Sequence, residues 1–164
     1  MKHLVIFSHS FFEKSRINKA LLNSVVHQND LEVRNLNALY PNGKIDTQTE
    51  IEALKKAKNI YFQFPLFWFS TPSLLKEWED CVLTAILYGN NPKMLEGKIF
   101  RIITSAGGTK ERYDGDGGLE KLLSPIQSSF LYTGAKVELS HIIYNAHHLQ
   151  DLEAEVRKYQ KIFS

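Results

Sequence analysis

The sequence has very little cysteine: Cys81 is the one thiol among 164 residues. A single cysteine excludes an internal disulfide, and with it the small secreted folds that disulfides hold together. Excess charge of one sign is equally scarce, because 20 Lys and Arg against 18 Asp and Glu leave a net charge of +2. That balance gives no electrostatic reason to expect nucleic acid as the main partner.

Long apolar runs are also missing. The richest, residues 60–69, is interrupted by Gln63 and Pro65 and is about half as long as a membrane-spanning helix. The N-terminal segment MKHLVIFSHS lacks a small-residue cleavage site, so we interpret it as a buried strand and not as a signal peptide. With 43% apolar residues the chain is too hydrophobic for disorder. We therefore expect a soluble, cytoplasmic protein with one domain over residues 1–164.

Five apolar runs predict β-strands. The first, third and fourth are nearly continuous in apolar residues, which is typical of central strands in a parallel sheet covered on both faces. The second and fifth are more mixed, which suits strands nearer the edges. The predicted strands are His3–Ser8, Leu31–Leu36, Asn59–Phe64, Lys98–Thr104 and Lys136–Leu139.

Amphipathic helical patterns lie between and after these strands. Thr47 and Glu50 form a capping-box pattern, and Pro72 is expected at the first position of the helix that contains Trp78. Pro125 predicts a kink or a later start for the helix around it. The alternation of strands and helices indicates an α/β domain. Five strands in a chain of this length suit a flavodoxin-like parallel sheet of order 2-1-3-4-5, with helices on both faces.

Ligands of such a sheet bind beyond the carboxyl ends of the strands, where the winding direction reverses. The loop after the first strand contains no glycine, so it is not a dinucleotide-binding fingerprint. It leads into a helix whose free N–H groups favour an anion, and we expect a phosphate there. Alternatively, Ser15 only caps the helix and His9 is a polar loop residue. The candidate ligands are His9, Ser15, Arg16, Ile17 and Asn18.

Two further loops meet at the same edge. The first is apolar and aromatic, which suits a wall against a flat conjugated ring, although a hydrophobic patch at a dimer interface remains an alternative. The second contains paired glycines, which let the backbone approach a ligand closely. Together with the phosphate loop they predict a site for flavin mononucleotide. The candidate residues are Pro65, Leu66, Phe67, Trp68 and Phe69 in the one loop, and Ser105, Ala106, Gly107 and Gly108 in the other.

The string FPLFWFSTPSLLKEWEDCVL resembles the signature of the NAD(P)H:quinone oxidoreductases of the DT-diaphorase-like, flavodoxin-fold group. The segments SHSFFEKSRINKALL, ALYPNGKID, TSAGG and SPIQSSFLYTG are similar to its small bacterial branch, which includes the ancillary oxidoreductases of potassium-efflux systems. The resemblance implies FMN as cofactor, with FAD as an alternative, and NAD(P)H as co-substrate. It also implies a homodimer in which the partner chain completes the pocket, and it makes Tyr113, beside the flavin, the candidate catalytic residue.

The chain departs from the family pattern at three places. Phe67 stands where a glutamine is usual, and residues 85–89 read AILYG where the family has Gly-Trp-Ala-Tyr-Gly. The stretch after Tyr113 holds no histidine to match the catalytic Tyr–His pair of larger members. These departures bear on the substrate and the rate more than on flavin binding.

The leading hypothesis is therefore a flavin-dependent NAD(P)H dehydrogenase that passes hydride through flavin N5 to a quinone or another electrophilic acceptor. One rival is a flavin-binding regulatory subunit that docks on a membrane transporter. Another is a one-electron carrier of the flavodoxin type, which the pI of about 8.6 disfavours. We expect no metal site, because His141, His147 and His148 lack carboxylate or cysteine partners at a suitable spacing.

Overall fold

A parallel β-sheet forms the centre of the structure, a computed structural model that describes residues 2–164 apart from the side chain of Asp116. Met1, the first residue of the predicted domain, lies outside the described residues. The strand order is β2-β1-β3-β4-β5, and β6 also pairs with β4. The flavodoxin-like α/β class and the predicted order 2-1-3-4-5 are confirmed. The strands are β1 (His3–Phe7), β2 (Leu31–Asn35), β3 (Asn59–Pro65), β4 (Ile99–Ser105), β5 (Lys136–Val137) and β6 (His141–Ile143).

The last two strands are two pieces of one interrupted fifth strand. Ile99 of β4 pairs with Lys136, whereas Ile103 pairs with His141, so the register shifts by one residue between them. One extra residue on the outer strand is the arrangement of a β-bulge. The expectation that this strand ends at Leu139 is wrong, because it resumes at His141. Its carboxyl end is therefore at the same edge as those of the central strands.

Helices cover both faces of the sheet. Successive side chains of a strand point to opposite faces, and Leu4 and Ile6 belong to one apolar cluster whereas Val5 and Phe7 belong to another. Helices α3, α4 and α6 pack on the first cluster, and α1 and α7 pack on the second. None of the helices within residues 2–164 is both long and apolar enough to cross a membrane. The helices are α1 (Ile17–Asn23), α2 (Leu36–Leu39), α3 (Thr47–Lys56), α4 (Ser73–Leu87), α5 (Lys110–Tyr113), α6 (Gly118–Tyr132) and α7 (Leu152–Gln160).

The start of α3 differs from the predicted capping box. Asp46 is the N-cap residue, and its carboxylate accepts a hydrogen bond from the backbone N–H of Thr49 at 3.1 Å. Thr47 is already the first residue of the helix. Glu50 is fully buried and turns inward, where it accepts hydrogen bonds from three side chains on other elements. Those donors are Arg34, Tyr40 and Trp78.

Two prolines also sit differently from the expectation. Pro72 is the N-cap residue of α4, one position before the predicted place, and the helix begins at Ser73. Helix α6 starts at Gly118 and continues through Pro125, so its start is not displaced. The hydroxyl of Ser124 donates to the carbonyl of Lys121 at 2.7 Å. It thereby satisfies the carbonyl that Pro125, which lacks an N–H, leaves unpaired.

Candidate functional site

A cleft of about 550 Å³ lies at the carboxyl edge of the sheet, between the loops that follow β1, β3, β4 and β6. This volume falls within the usual range for small-molecule sites. The cleft adjoins the carboxyl ends of β1 and β3, where the winding direction reverses, which is the expected place for a ligand. Its lining residues are His9, Phe11, Lys14, Ser15, Arg16, Ile17, Asn18, Pro65, Leu66, Phe67, Ser105, Gly107, Ala146 and His147.

The part of the cleft formed by the loop after β1 is positively charged. Lys14 and Arg16 line it, and the lining residues include no aspartate or glutamate. The guanidinium of Arg16 donates to the carbonyl of Leu149 at 3.0 Å, which anchors this side chain across the cleft mouth. The hydroxyl of Ser15 accepts the N–H of Asn18 at 3.1 Å and so serves the first turn of α1. The positive charge that an anion would meet here therefore comes from the side chains of Lys14 and Arg16.

His9 offers a hydrogen-bond donor to the cleft. Its Nδ1 accepts the backbone N–H of Phe11 at 3.1 Å, so this nitrogen carries no proton. Burial lowers the pKa of His9 below 6.5, which keeps the ring neutral with its proton on Nε2. The carboxamide oxygen of Asn37 accepts a hydrogen bond from the His9 backbone N–H at 2.9 Å and so fixes the backbone of this residue. The ring thus presents an N–H group and not a positive charge.

The part of the cleft formed by the loop after β3 is apolar. Pro65, Leu66 and Phe67 line the cleft, and the backbone N–H of Leu66 continues the strand ladder by donating to the carbonyl of Ser105 at 2.8 Å. The ring of Phe67 lies 5.9 Å from that of Phe11, between ring centroids. A rigid apolar surface of this kind can pack against a flat ring.

The tip of the same loop points away from the cleft. Phe67 and Ser70 exchange two backbone hydrogen bonds of 2.9 and 2.8 Å, which closes a two-residue turn. Trp68 and Phe69 occupy its centre with φ values of 45° and 64°, as in the type I′ turns that favour Asn-Gly. They are 92% and 58% exposed. The structure therefore places these two predicted site residues outside the cleft lining.

The glycine loop after β4 is joined to the loop after β6. Ala106 is fully buried; its N–H donates to the carbonyl of Ile143, and its carbonyl accepts the N–H of Ala146, both at 2.9 Å. The carbonyl of Gly108 accepts the N–H of Asn145 at 2.8 Å. Ala106 thus shapes the site through its backbone, since its side chain does not reach the cleft.

Side chains approach two glycines of this loop closely. A Cβ at Gly107 would lie 3.0 Å from the imidazole of His147, and a Cβ at Gly108 would lie 2.9 Å from the ring of Tyr113. Tyr113 lies beside Gly108, outside the cleft lining, with its ring centroid 6.4 Å from that of Phe69 and 6.1 Å from that of Tyr144. Gly108 and Tyr113 therefore border the site without lining it.

Four lining residues lay outside the predicted set: Phe11, Lys14, Ala146 and His147. The last two follow β6, and the apolar pair Ile142–Ile143 was the available signal for a strand that ends there. The three histidines considered for a metal have different surroundings. His147 lines the cleft, His148 is exposed, and Nε2 of His141 lies 3.7 Å from a carboxylate oxygen of Glu155.

The family model described as the flavodoxin-like fold matches residues 1–163. The chain belongs to this flavodoxin-like family. A relative from Bacillus subtilis strain 168, the uncharacterized NAD(P)H oxidoreductase YrkL, is 36% identical to it over 91% of this chain and 88% of the relative. The glutathione-regulated potassium-efflux system ancillary protein KefF of Salmonella typhimurium is 35% identical over 96% of this chain and 93% of its own length.

A solved structure with the same fold contains a flavin. It is general stress protein 14 of Treponema denticola in complex with FMN, which matches this flavodoxin-like chain with a TM-score of 0.90 and 30% identity. The match covers 99% of this chain and 97% of that one. These comparisons confirm the resemblance that the aromatic loop and its flanking segments predicted.

Proposed function

We propose that this protein binds FMN and acts as an NAD(P)H oxidoreductase of the quinone reductase type. The observation that carries the proposal is that one cleft is lined both by the basic side chains of Lys14 and Arg16 and by the apolar residues Pro65, Leu66 and Phe67. FMN has this same division into an anionic phosphate and a flat apolar ring. The 30% identical structure that contains FMN supports the assignment.

The lining residues fit the parts of FMN in turn. Lys14 and Arg16 would hold the phosphate through charge-assisted hydrogen bonds. Asn18 and Ser105 carry the amide and hydroxyl groups that suit the ribityl chain, and Phe67 would pack on the ring. The loop at 105–108 would bring its backbone to the polar edge of the ring, where a Cβ at Gly107 would lie 3.0 Å from the imidazole of His147 and crowd the cleft.

Bound flavin would supply the hydride chemistry between NAD(P)H and a quinone or another electrophilic acceptor. The protein's part is to bind, to orient and to exclude water. Phe67 and Phe11 shield the cleft, and His9 donates a hydrogen bond from Nε2. Tyr113 is the candidate to hydrogen-bond the acceptor or to give it a proton, because it borders the glycine loop beside Phe69.

The visible spectrum of the purified protein tests this function. We expect a bound flavin that NADPH bleaches under argon and a quinone restores, with FMN as the flavin released on denaturation. Release of FAD would change the assigned cofactor from FMN to FAD. A flavin that NADPH leaves oxidised would favour the one-electron carrier. A colourless protein that neither FMN nor FAD reconstitutes would overturn the proposal.

We also propose that two copies associate through the exposed turn of Trp68 and Phe69. Positive φ values are unfavourable for bulky aromatic residues, and the two rings remain 92% and 58% exposed on the described surface. The double variant Trp68→Asn/Phe69→Gly keeps the turn type, because Asn-Gly is its preferred sequence. Light scattering should show a dimer for the unaltered protein and a monomer for the variant. A dimer in both would exclude this turn as the interface.

A regulatory role on a transporter is the second candidate, and the similarity to KefF, an ancillary protein of a potassium-efflux system, is what favours it. Co-purification with a transporter, together with slow quinone reduction by the isolated protein, would support it. In either case we place the protein in the cytoplasm, where NAD(P)H is the reductant and a single free thiol is usual.

A further inference from the structure

A row of buried hydrogen bonds connects helix α7 with the floor of the cleft. The phenol of Tyr159 donates to Oε1 of Gln63 at 2.7 Å, and Nε2 of Gln63 donates to Oδ1 of Asn18 at 3.3 Å. Nδ2 of Asn18 then donates to the hydroxyl oxygen of Ser105 at 3.4 Å. The exposed fractions of Tyr159, Gln63, Asn18 and Ser105 are 0%, 0%, 3% and 7%. Only the last two residues line the cleft.

The phenol decides the direction of this row. Burial raises the pKa of Tyr159 well above its usual range, so the group keeps its proton. If the Gln63 amide were reversed, the phenol would have to accept a hydrogen bond, and its own hydrogen would have no acceptor among the described residues. A buried donor without a partner is strongly unfavourable. Tyr159 therefore donates, and each amide in the row follows the same direction.

The consequence appears at the cleft. The oxygen of Ser105 accepts from Asn18, which leaves the Ser105 hydrogen free for a ligand. Asn18 uses one of its two Nδ2 hydrogens on Ser105, and the second remains available. Reversing the row would turn Asn18 Oδ1 towards Ser105, and the serine would then donate to it. The floor of the cleft would in that case present lone pairs.

We propose that Tyr159 and Gln63 are positioning residues that make the floor of the cleft a hydrogen-bond donor surface, selective for the oxygen-rich ribityl phosphate of the flavin and not for its ring. This inference rests on the proposed function and deepens it. Neither residue reaches the ligand. Both act through Asn18 and Ser105, Gln63 from strand β3 and Tyr159 from helix α7, which packs on the same face of the sheet as α1.

The test compares two flavins in one variant. Tyr159→Phe removes the hydroxyl but keeps the buried ring, and binding is followed by quenching of flavin fluorescence. We expect the affinity for FMN to fall roughly 3- to 10-fold, the range for loss of one neutral hydrogen bond. Affinity for lumiflavin, which has the ring system without the ribityl phosphate, should not change. A general loosening of the fold would instead weaken the binding of both flavins alike.

Tyr61→Phe is the matched control. Tyr61 is 5% exposed and packs in the same apolar cluster as Tyr159. Its hydroxyl hydrogen-bonds Nδ1 of His3 at 3.0 Å, at the opposite edge of the sheet. This variant should lose thermal stability and keep its affinity for both flavins. A drop in FMN affinity equal to that of Tyr159→Phe would overturn the inference.

A second variant keeps the inference testable if the first folds poorly. Gln63→Met preserves the side-chain length and removes both amide contacts, so it should also weaken FMN and spare lumiflavin. Because both residues act through one row, the double variant should bind FMN no more weakly than Gln63→Met alone. If the factors by which the two substitutions lower FMN affinity multiply in the double variant, the two residues act independently, which would contradict a single row of hydrogen bonds. If the unaltered protein binds no FMN, the proposed function fails together with the inference. If it binds FMN and Tyr159→Phe binds it equally, only the inference fails.

Discussion

Replacing Glu50 by alanine should destabilise the fold more than its place near the start of a surface helix would indicate. Its carboxylate is fully buried and accepts hydrogen bonds from Arg34 at 2.7 and 2.9 Å, Tyr40 at 2.5 Å and Trp78 at 2.8 Å. Alanine leaves the indole N–H and the phenol without their partner, and Arg34 keeps only Glu32, at 2.9 Å. Breaking one side of a buried ion pair lowers the free energy of unfolding by about 3–5 kcal/mol.

Urea denaturation of the cofactor-free protein, followed by far-UV circular dichroism, measures this loss. Glu52→Ala is the matched control, because Glu52 lies in the same helix, is half-exposed and pairs with Lys55 on the surface. It should leave the midpoint nearly unchanged. Glu50→Gln should fall between the two, because it keeps the shape and loses the charge. A loss below about 1 kcal/mol for Glu50→Ala would refute the assignment of this carboxylate as the centre of a buried network.

Three further results are expected. Arg16→Ala should lower FMN affinity by roughly 10-fold or more, because it removes a charge-assisted contact of about 1.5–3 kcal/mol. Titration with lumiflavin is the control, and an equal loss of affinity for both flavins would refute a phosphate role. Gly108→Ala should slow quinone reduction and retain FMN, because the new Cβ would lie 2.9 Å from the Tyr113 ring. Gly115→Ala is the control: its Cβ would meet nothing within 4 Å, so its rate of quinone reduction should match that of the unaltered enzyme. Burial lowers three histidine pKa values below 6.5, so the unfolded chain binds more protons below that pH. The contribution of these groups to the free energy of unfolding is therefore fully present above pH 6.5 and should decrease towards pH 5 in urea titrations. A free energy of unfolding that does not change over this pH range would contradict the prediction. These histidines are His3, His9 and His141.

The sheet was predictable because its central strands are buried on both faces and therefore read as continuous apolar runs. The interrupted fifth strand was not predictable, because the bulge places the polar residues Ser140 and His141 in the middle of it. The register of a bulged strand also depends on the neighbouring strand. The capping box failed for a similar reason. Glu50 has the right spacing to cap its own helix, but Arg34, distant in sequence, offers it a charged partner.

The difference between local sequence patterns and contacts distant in sequence also explains which residues of the candidate site were predicted. Residues contributed by the loops after β1, β3 and β4 were found because each loop follows a recognisable strand. The loop that carries His147 was overlooked because its strand was predicted to end too early. Gln63 looked like a mere interruption of an apolar run, although a buried polar side chain in a central strand requires a partner. Here those partners are Asn18 and Tyr159, distant in sequence on either side. Unexplained polar residues within apolar strands are therefore the places where the sequence points to a tertiary contact, and in this fold that contact leads to the cleft.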